Sequence, residues 1–444
     1  VLHAKITIEN KKTNMAKAPK VLMLGWEYPP VFSGGLGVVT KNLAQALVAQ
    51  GADITLVLPQ FITHKIVSSG YDPGVKLLTF ANSAQRYDDL VNTIHVPTFM
   101  YSPYMNAGDY KKALNQYKKG GPDVSKSSAE SDVYGENLWV EIDRFAAEVV
   151  ALTGENDFDL VHAQDWITAE AAIQLKVKRG IPYIIHIHAT EVDRTGTTNK
   201  DSEVFKREQY AMQQSLRVVT VSQYTKKILV DQYGIDPEKI LVVYNAYEKK
   251  VPTPEYIKAR QFPKNKEEFW VLFIGRVTLQ KGPEYFVDTA AKVVPHNPNI
   301  HFHIAGDGDM MPQIRAQIKK FGLEKNVHCH GFLPPAKRDA LYMLADACII
   351  PSVSEPFGLT AIEVIDHCTP LIISKNCGAN EIIGHKLEVD FHDSDKMAEY
   401  TLALQKYPEL RRTLRTKAMD NKDRLTWEAQ ASRMMEIYEN HTSL

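Results

Sequence analysis

VLMLGWEYPPVFSGGLGVVTKNLAQALVAQGADITLVLPQ, residues 21–60, decides the fold class. Val21 to Leu24 is a short apolar run ending in Gly25, which predicts a buried strand. The spacing of Val39, Leu43, Ala44 and Leu47 predicts a helix over 38–49 with one buried face, ended by Gly51. Ile54 to Leu58 is the next strand. The resulting βαβ unit calls for a parallel, doubly wound α/β sheet. Between strand and helix lie Gly34, Gly35 and Gly37, residue types that let a backbone approach a phosphate. The pattern is not G-x-G-x-x-G, and strand two runs into Pro59-Gln60 without the acidic residue a dinucleotide ribose needs, which disfavours a nicotinamide or flavin enzyme. There is no P-loop motif either.

Working outward, the α/β rhythm continues: a helix over about 137–152, a strand over 160–163 ending at Gln164-Asp165-Trp166, and a strand over 182–188 carrying His186 and His188. The latter enters the polar stretch Ala189 to Gly196 at a strand's carboxyl end, where open α/β sheets bind ligands. Strands follow at 218–221 and 240–243. A second series starts at Trp270 to Gly275 and passes through Arg276, Lys281-Gly282, strands over 301–304, 327–331 and 347–350, the loop and helix of Pro351 to Glu363, and a strand over 371–374. Cys377 to Glu381 is expected to start another helix. The domain reading is an extension over 1–19, a first Rossmann-like domain over 20–245 with a mobile loop at about 105–131, and a linker over 246–266. A second such domain spans 267–425, and a last helical segment over 426–444 crosses back to the first domain. Two α/β halves joined by a linker imply a cleft between them.

Composition narrows the function classes. The chain has 444 residues, enough for two or three cores, and 52 basic against 53 acidic residues give a net charge of −1. No global field points to nucleic acid or an anionic membrane. No apolar run approaches the length of a membrane span. The polar, basic N-terminus lacks the apolar centre of a secretory signal. The 4 cysteines lack metal or redox spacing, so a reducing cytoplasm is the expected compartment.

The candidate site is built on Glu355 and Glu363, which bracket a helix start. An open helix N-terminus favours an anion, and carboxylates accept hydrogen bonds from sugar hydroxyls. Ordinary complementation of the helix dipole explains the pair equally well in isolation. Arg276 and Lys281 change the balance, because in one parallel sheet they share the carboxyl edge with the two glutamates and can neutralise a diphosphate. With the Gly34–Gly37 stretch facing them, the set reads as a clamp for a nucleoside diphosphate-sugar. His186 and His188 lack a third ligand for a metal, and His328 with His330 fits a structural role better. Asp157-Phe158-Asp159 and Asp307-Gly308-Asp309 have the form of a metal-dependent Asp-x-Asp pair, but Asp307 and Asp309 are also explained as helix caps. No metal site is assigned.

Glu355-Pro356-Phe357-Gly358-Leu359…Glu363, Gly275-Arg276…Lys281-Gly282, Ala305-Gly306-Asp307-Gly308 and Gly378…Asn380-Glu381 resemble, in order, the motifs of retaining family 4 glycosyltransferases of the GT-B fold. Gly34-Gly35-Leu36, His162 to Trp166 and His188 to Gly196 resemble the archaeal-type glycogen and starch synthase branch. The resemblance spans about residues 20–440. It implies two Rossmann-like domains across a cleft, no cofactor or essential metal, a donor such as ADP-glucose or UDP-glucose, and a glucan or other sugar acceptor; an oligomer is compatible with it. It further implies that Arg276 and Lys281 hold the diphosphate, Glu355 the donor sugar and Glu363 the ribose. Gly35 and Gly37, Gly275, and the backbone of Phe357, Gly358, Leu359 and Thr360 approach the donor. His188 sits near the anomeric carbon, and Asp165, Trp166 and Glu191 lie on the acceptor side. One departure is Phe32, where the bacterial and archaeal glucan synthases carry lysine, which pulls toward family 4 transferases of other acceptors. A nucleotide-sugar epimerase or hydrolase, and a non-catalytic glycan-binding protein, are the readings of other classes.

Overall fold

The computed structural model describes residues 18–27, 35–61, 92–98, 138–154, 156–247, 262–417 and 425–442. The expectations for residues 1–17, Phe32, Gly34, the 105–131 loop and most of the linker fall outside the described residues. Two parallel sheets form the frame. In the first, β1 (Lys20–Leu24), β2 (Asp53–Phe61), β3 (Asn92–Thr98), β4 (Leu160–Gln164), β5 (Tyr183–Ile187), β6 (Arg217–Thr220) and β7 (Ile240–Val242) lie in the order β3-β2-β1-β4-β5-β6-β7. In the second, β8 (Phe269–Ile274), β9 (Ile300–Ala305), β10 (Val327–Gly331), β11 (Ala347–Ile350), β12 (Leu371–Ser374) and β13 (Leu387–Val389) lie in the order β10-β9-β8-β11-β12-β13. Every pairing is parallel, so the doubly wound α/β class holds for both halves.

Strand order reverses between β1 and β4 in one sheet and between β8 and β11 in the other. Connections leave these neighbours in opposite directions, so a crevice opens at their carboxyl ends. The segments after β8 and β11 are those that carry Lys281 and Glu355.

Each sheet buries both faces, which is why its strands read as continuous apolar runs. Phe145, Ala172, Leu175 and Phe205 cover one side of the first sheet. Its other side receives Leu43 and Leu47 of the helix Gly35–Ala49 together with Ala431, Met434, Ile437 and Tyr438 of the last helix, Trp427–Thr442. That last helix therefore packs on the first sheet and leaves the second. Phe286, Ile314 and Leu404 cover one face of the second sheet, and Leu341, Ile362 and Ile365 the other.

Three local expectations are corrected. The first helix starts at Gly35, so Gly35 and Gly37 lie in its opening turn, with Gly37 buried. Cys377 to Glu381 does not open an α-helix but forms a 3-10 turn over Gly378–Glu381. The helix Met311–Lys320 has Met310 at its N-cap with no side-chain capping bond, so Asp309 does not cap it. Asp307 Oδ1 instead accepts the Gly308 N–H at 2.9 Å within the turn.

Candidate active site

After β8 the chain turns sharply. Gly275 and Gly306 have φ of +142° and +147°, and a Cβ on Gly306 would lie 1.8 Å from the Gly275 carbonyl oxygen. Only glycine allows that approach. The next turn, Leu279–Lys281, ends in Gly282 with φ +61°, where a Cβ would meet the Pro351 oxygen at 2.2 Å. Val353 N–H donates to the Gln280 oxygen at 2.9 Å, fastening this turn to the loop after β11. The consequence is an ion pair between Lys281 Nζ and Glu355 Oε2, with Ser352 Oγ also donating to Glu355 at 3.3 Å. Arg276 is exposed and forms no ion pair among the described residues.

The loop closes on Gly358, whose φ of +97° puts it at the N-cap of the helix Leu359–Asp366 with no side-chain cap. A Cβ there would lie 2.7 Å from Cys377 Sγ. The first-turn amides thus lack the capping acceptor a helix start usually has, which is the condition for holding an anion. Phe357 is buried, while Leu359 and Thr360 are partly open. Glu363, one turn into the helix, accepts the Tyr342 hydroxyl at 2.9 Å and lies 3.7 Å from Arg338.

On the first sheet, β4 ends at Gln164 and Asp165 takes a left-handed φ of +57°, rare for a residue with a side chain. Its Oδ1 accepts the His188 N–H at 2.7 Å, which holds the end of β5 beside the end of β4. Burial pushes Asp165 up to about 6 against the pull of Arg194 and two backbone N–H groups. Trp166 is buried against Trp139, with ring centroids 5.8 Å apart. Glu191 is buried and pairs with Arg194, which also meets Glu208. Asp165, Trp166 and Glu191 are therefore engaged by protein groups. Burial pushes Glu208 up to about 7, with Arg194 opposing.

His188 is partly open, and its Nε2 lies 2.6 Å from Gln164 Oε1. Its ring tilts on His186 at 4.2 Å, His186 stacks on His162 at 5.4 Å, and His162 Nδ1 meets the Tyr438 hydroxyl at 2.6 Å. Burial pushes His162 and His188 down to about 3, so both are neutral at ordinary pH.

The two halves meet through contacts the sequence reading did not anticipate. Ser222 Oγ donates to the Pro356 carbonyl at 2.5 Å, and Tyr224 OH lies 2.9 Å from Ser354 Oγ, which donates to Asp193. Glu381 accepts the Gln223 and Tyr224 N–H groups at 2.9 and 2.7 Å, so its carboxylate sits on the positive end of the helix Gln223–Asp231. Gly35 comes to the same loop: a Cβ on it would be 3.9 Å from Leu359 Cδ1. The one available signal was Ser222, an N-cap residue following a strand. Its partner in the other half has no local signature.

Among the described residues no group of three or more histidine, cysteine or carboxylate side chains can hold a metal ion. His328 and His330 pair with His301 and His303 at 3.0 and 2.9 Å. No described helix is long and apolar enough to cross a membrane.

Two family models match successive parts of the chain: Glycosyltransferase Family 4 over residues 133–250 and Glycosyl transferases group 1 over residues 256–420. The chain belongs to the family 4 glycosyltransferases of GT-B fold. An uncharacterized glycosyltransferase of Methanocaldococcus jannaschii is 28% identical over 377 residues, covering 83% of each chain. Glycogen synthase of Mycobacterium tuberculosis is 25% identical over 380 residues, 82% of this chain and 80% of that one. Among solved structures, sucrose-phosphate synthase from Thermosynechococcus elongatus superposes with a TM-score of 0.69 at 19% identity, covering 96% and 99% of the two chains. That likeness places this glycosyltransferase in the GT-B fold and says nothing of its substrate.

Proposed function

We propose that this glycosyltransferase moves glucose, with retention, from ADP-glucose or UDP-glucose to the non-reducing end of an α-1,4-glucan. The observation that carries the reading is the Lys281–Glu355 pair at the strand-order reversal, beside an uncapped helix start. The similarity to a glycogen synthase over most of the chain supports the glucan acceptor. Breaking the bond from C1 to the phosphate oxygen sends the electron pair to the diphosphate and leaves positive charge on the sugar. Lys281, Arg276 and the N–H groups of Leu359 and Thr360 stabilise the departing anion without reorganising, the arrangement that gives electrostatic catalysis its size. With that charge supplied by the chain, no essential metal is required. Glu355 accepts hydrogen bonds from donor-sugar hydroxyls, and Glu363 from the ribose. The acceptor oxygen bonds to C1 from the face the diphosphate leaves, and its proton passes to a phosphate oxygen. No protein carboxylate forms a covalent intermediate.

The test is to incubate the protein with each donor and with glycogen, maltose or a lipid acceptor, following nucleoside diphosphate release and the anomeric configuration of the product. Release that depends on glycogen or maltose and yields an α-linkage is the expected result. A β-linked product removes retention, and fast turnover without acceptor favours the epimerase or hydrolase reading. Failure to bind any nucleotide removes the proposal. Phe32 favours a second reading, transfer to a different family 4 acceptor, which activity on the lipid alone would support.

A further inference from the structure

We infer that Gln164 is a positioning residue that decides which nitrogen of His188 carries the proton, an inference resting on the placement of His188 at the donor sugar proposed above. Gln164 ends β4, is fully buried, and lies in register opposite His186 on β5. Its Oε1 is 2.6 Å from His188 Nε2, whereas its own amide nitrogen is buried without a partner among the described residues. An amide oxygen only accepts, so the contact is satisfied by the tautomer with the proton on Nε2, which leaves Nδ1 a bare lone pair.

The remaining groups around the imidazole do not compete for this role. His186 faces it ring to ring at 4.2 Å with His162 stacked behind. The Asp165 carboxylate is turned to the His188 main-chain N–H, and Arg194 donates to the Ala189 carbonyl at 3.1 Å. Gln164 is therefore the side chain in position to fix the ring. An uncharged partner has a chemical reason: a carboxylate in its place would favour the imidazolium. That charge would oppose the positive charge developing on the sugar at the transition state.

The experiment has two readouts. Long-range proton–nitrogen NMR of histidine-labelled protein, with the His188 signals assigned from H188Q, reads the tautomer without any substrate. A neutral ring protonated on Nε2 from pH 5.5 to 8 is expected; an Nδ1–H or charged ring overturns the inference, even if no Gln164 variant folds. Kinetics of Q164E and Q164L then separate positioning from structure. Q164E should acquire an acid limb that the parent lacks, with kcat reduced about 10-fold or more at pH 5.5 and recovering above pH 8. Its KM for the donor should stay within about 2-fold, because only the transition state is affected. Q164L should lose activity equally at every pH. A Q164E loss that is flat with pH overturns the inference. If the tautomer is as expected but H188Q transfers glucose at the parent rate, it is the placement of His188 that fails, and the NMR result stands apart from it.

Discussion

Lys281 is held in advance of any substrate: its turn is closed by Gly282, fastened through Gln280 to the β11 loop, and its ammonium already rests on Glu355. Such a group can meet a leaving diphosphate without first being ordered. Lys281→Ala is expected to lower kcat/KM by about 10²–10³-fold, the range for losing one preorganised electrostatic contact. It should also lower stability by roughly 1–3 kcal/mol, since Glu355 keeps its burial and loses its cation. Steady-state kinetics with a thermal melt checks both, and parent-like transfer would remove Lys281 from the leaving-group role. Gly282→Ala should melt lower than the parent, because a Cβ at φ +61° would sit 2.2 Å from the Pro351 oxygen. That Lys281 and Glu355 share one sheet edge among tight glycine turns was legible, because residue types and their order after the two strands are local in sequence. Asp165 was not. Its left-handed backbone and inward carboxylate arise from the N–H of His188, 23 positions later, and an aspartate after a strand reads locally as an acceptor-facing group.

Elements with strong periodicity or long apolar runs were read to within a few residues. β3 escaped the reading because its alternation is confined to Ile94 and Val96 and stops at Pro97, a residue that argues against a strand except at a sheet edge such as this one. Within the polar stretch Ala189 to Gly196 lies the five-residue helix Glu191–Thr195, held by a capping box between Thr190 and Asp193 and too short for a period to show. The last helix, Trp427–Thr442, offers an element-scale test. Tyr438 is fully buried, and its hydroxyl is the partner of His162 Nδ1. Tyr438→Phe keeps the ring and removes the oxygen, leaving a buried ring nitrogen unsatisfied. A loss of about 1–3 kcal/mol in denaturant unfolding is expected. No loss would mean that the hydrogen bond does not contribute to docking this helix.

At the scale of the whole molecule, imidazoles that are buried, or in the case of His188 largely enclosed, set the response to acid. His162, His186, His188 and His303 all stay neutral in the folded chain because burial pushes their pKa values down, to about 3 for His162 and His188 and about 2 for His303. Unfolded, each binds a proton near pH 6.5. The unfolded chain therefore holds more protons below that pH, so the stability present above pH 6.5 is lost as pH falls toward 3, by about 2 kcal/mol per imidazole at pH 5. Buried carboxyls act oppositely: Asp165 and Glu208, raised to about 6 and about 7, contribute stability as pH falls from 7 toward 4, roughly 1 and roughly 2–3 kcal/mol at pH 5, and Asp193 is raised in the same direction. The four histidines together outweigh these carboxyls. Calorimetry should give a Tm that is level above pH 7 and drops steeply between pH 6.5 and 5; a Tm rising on acidification would contradict this balance. The return of the last helix to the first sheet has a consequence for how the molecule is made. A ribosome delivers His162 long before Tyr438, its partner 276 positions later, and the whole second sheet emerges in between. Until translation reaches the tail, the side of the first sheet that receives Met434 and Ile437 stands open to water and to chaperones. The half that is synthesised first is the half completed last, and a ribosome that stalls anywhere in the second sheet releases a product with that apolar flank uncovered.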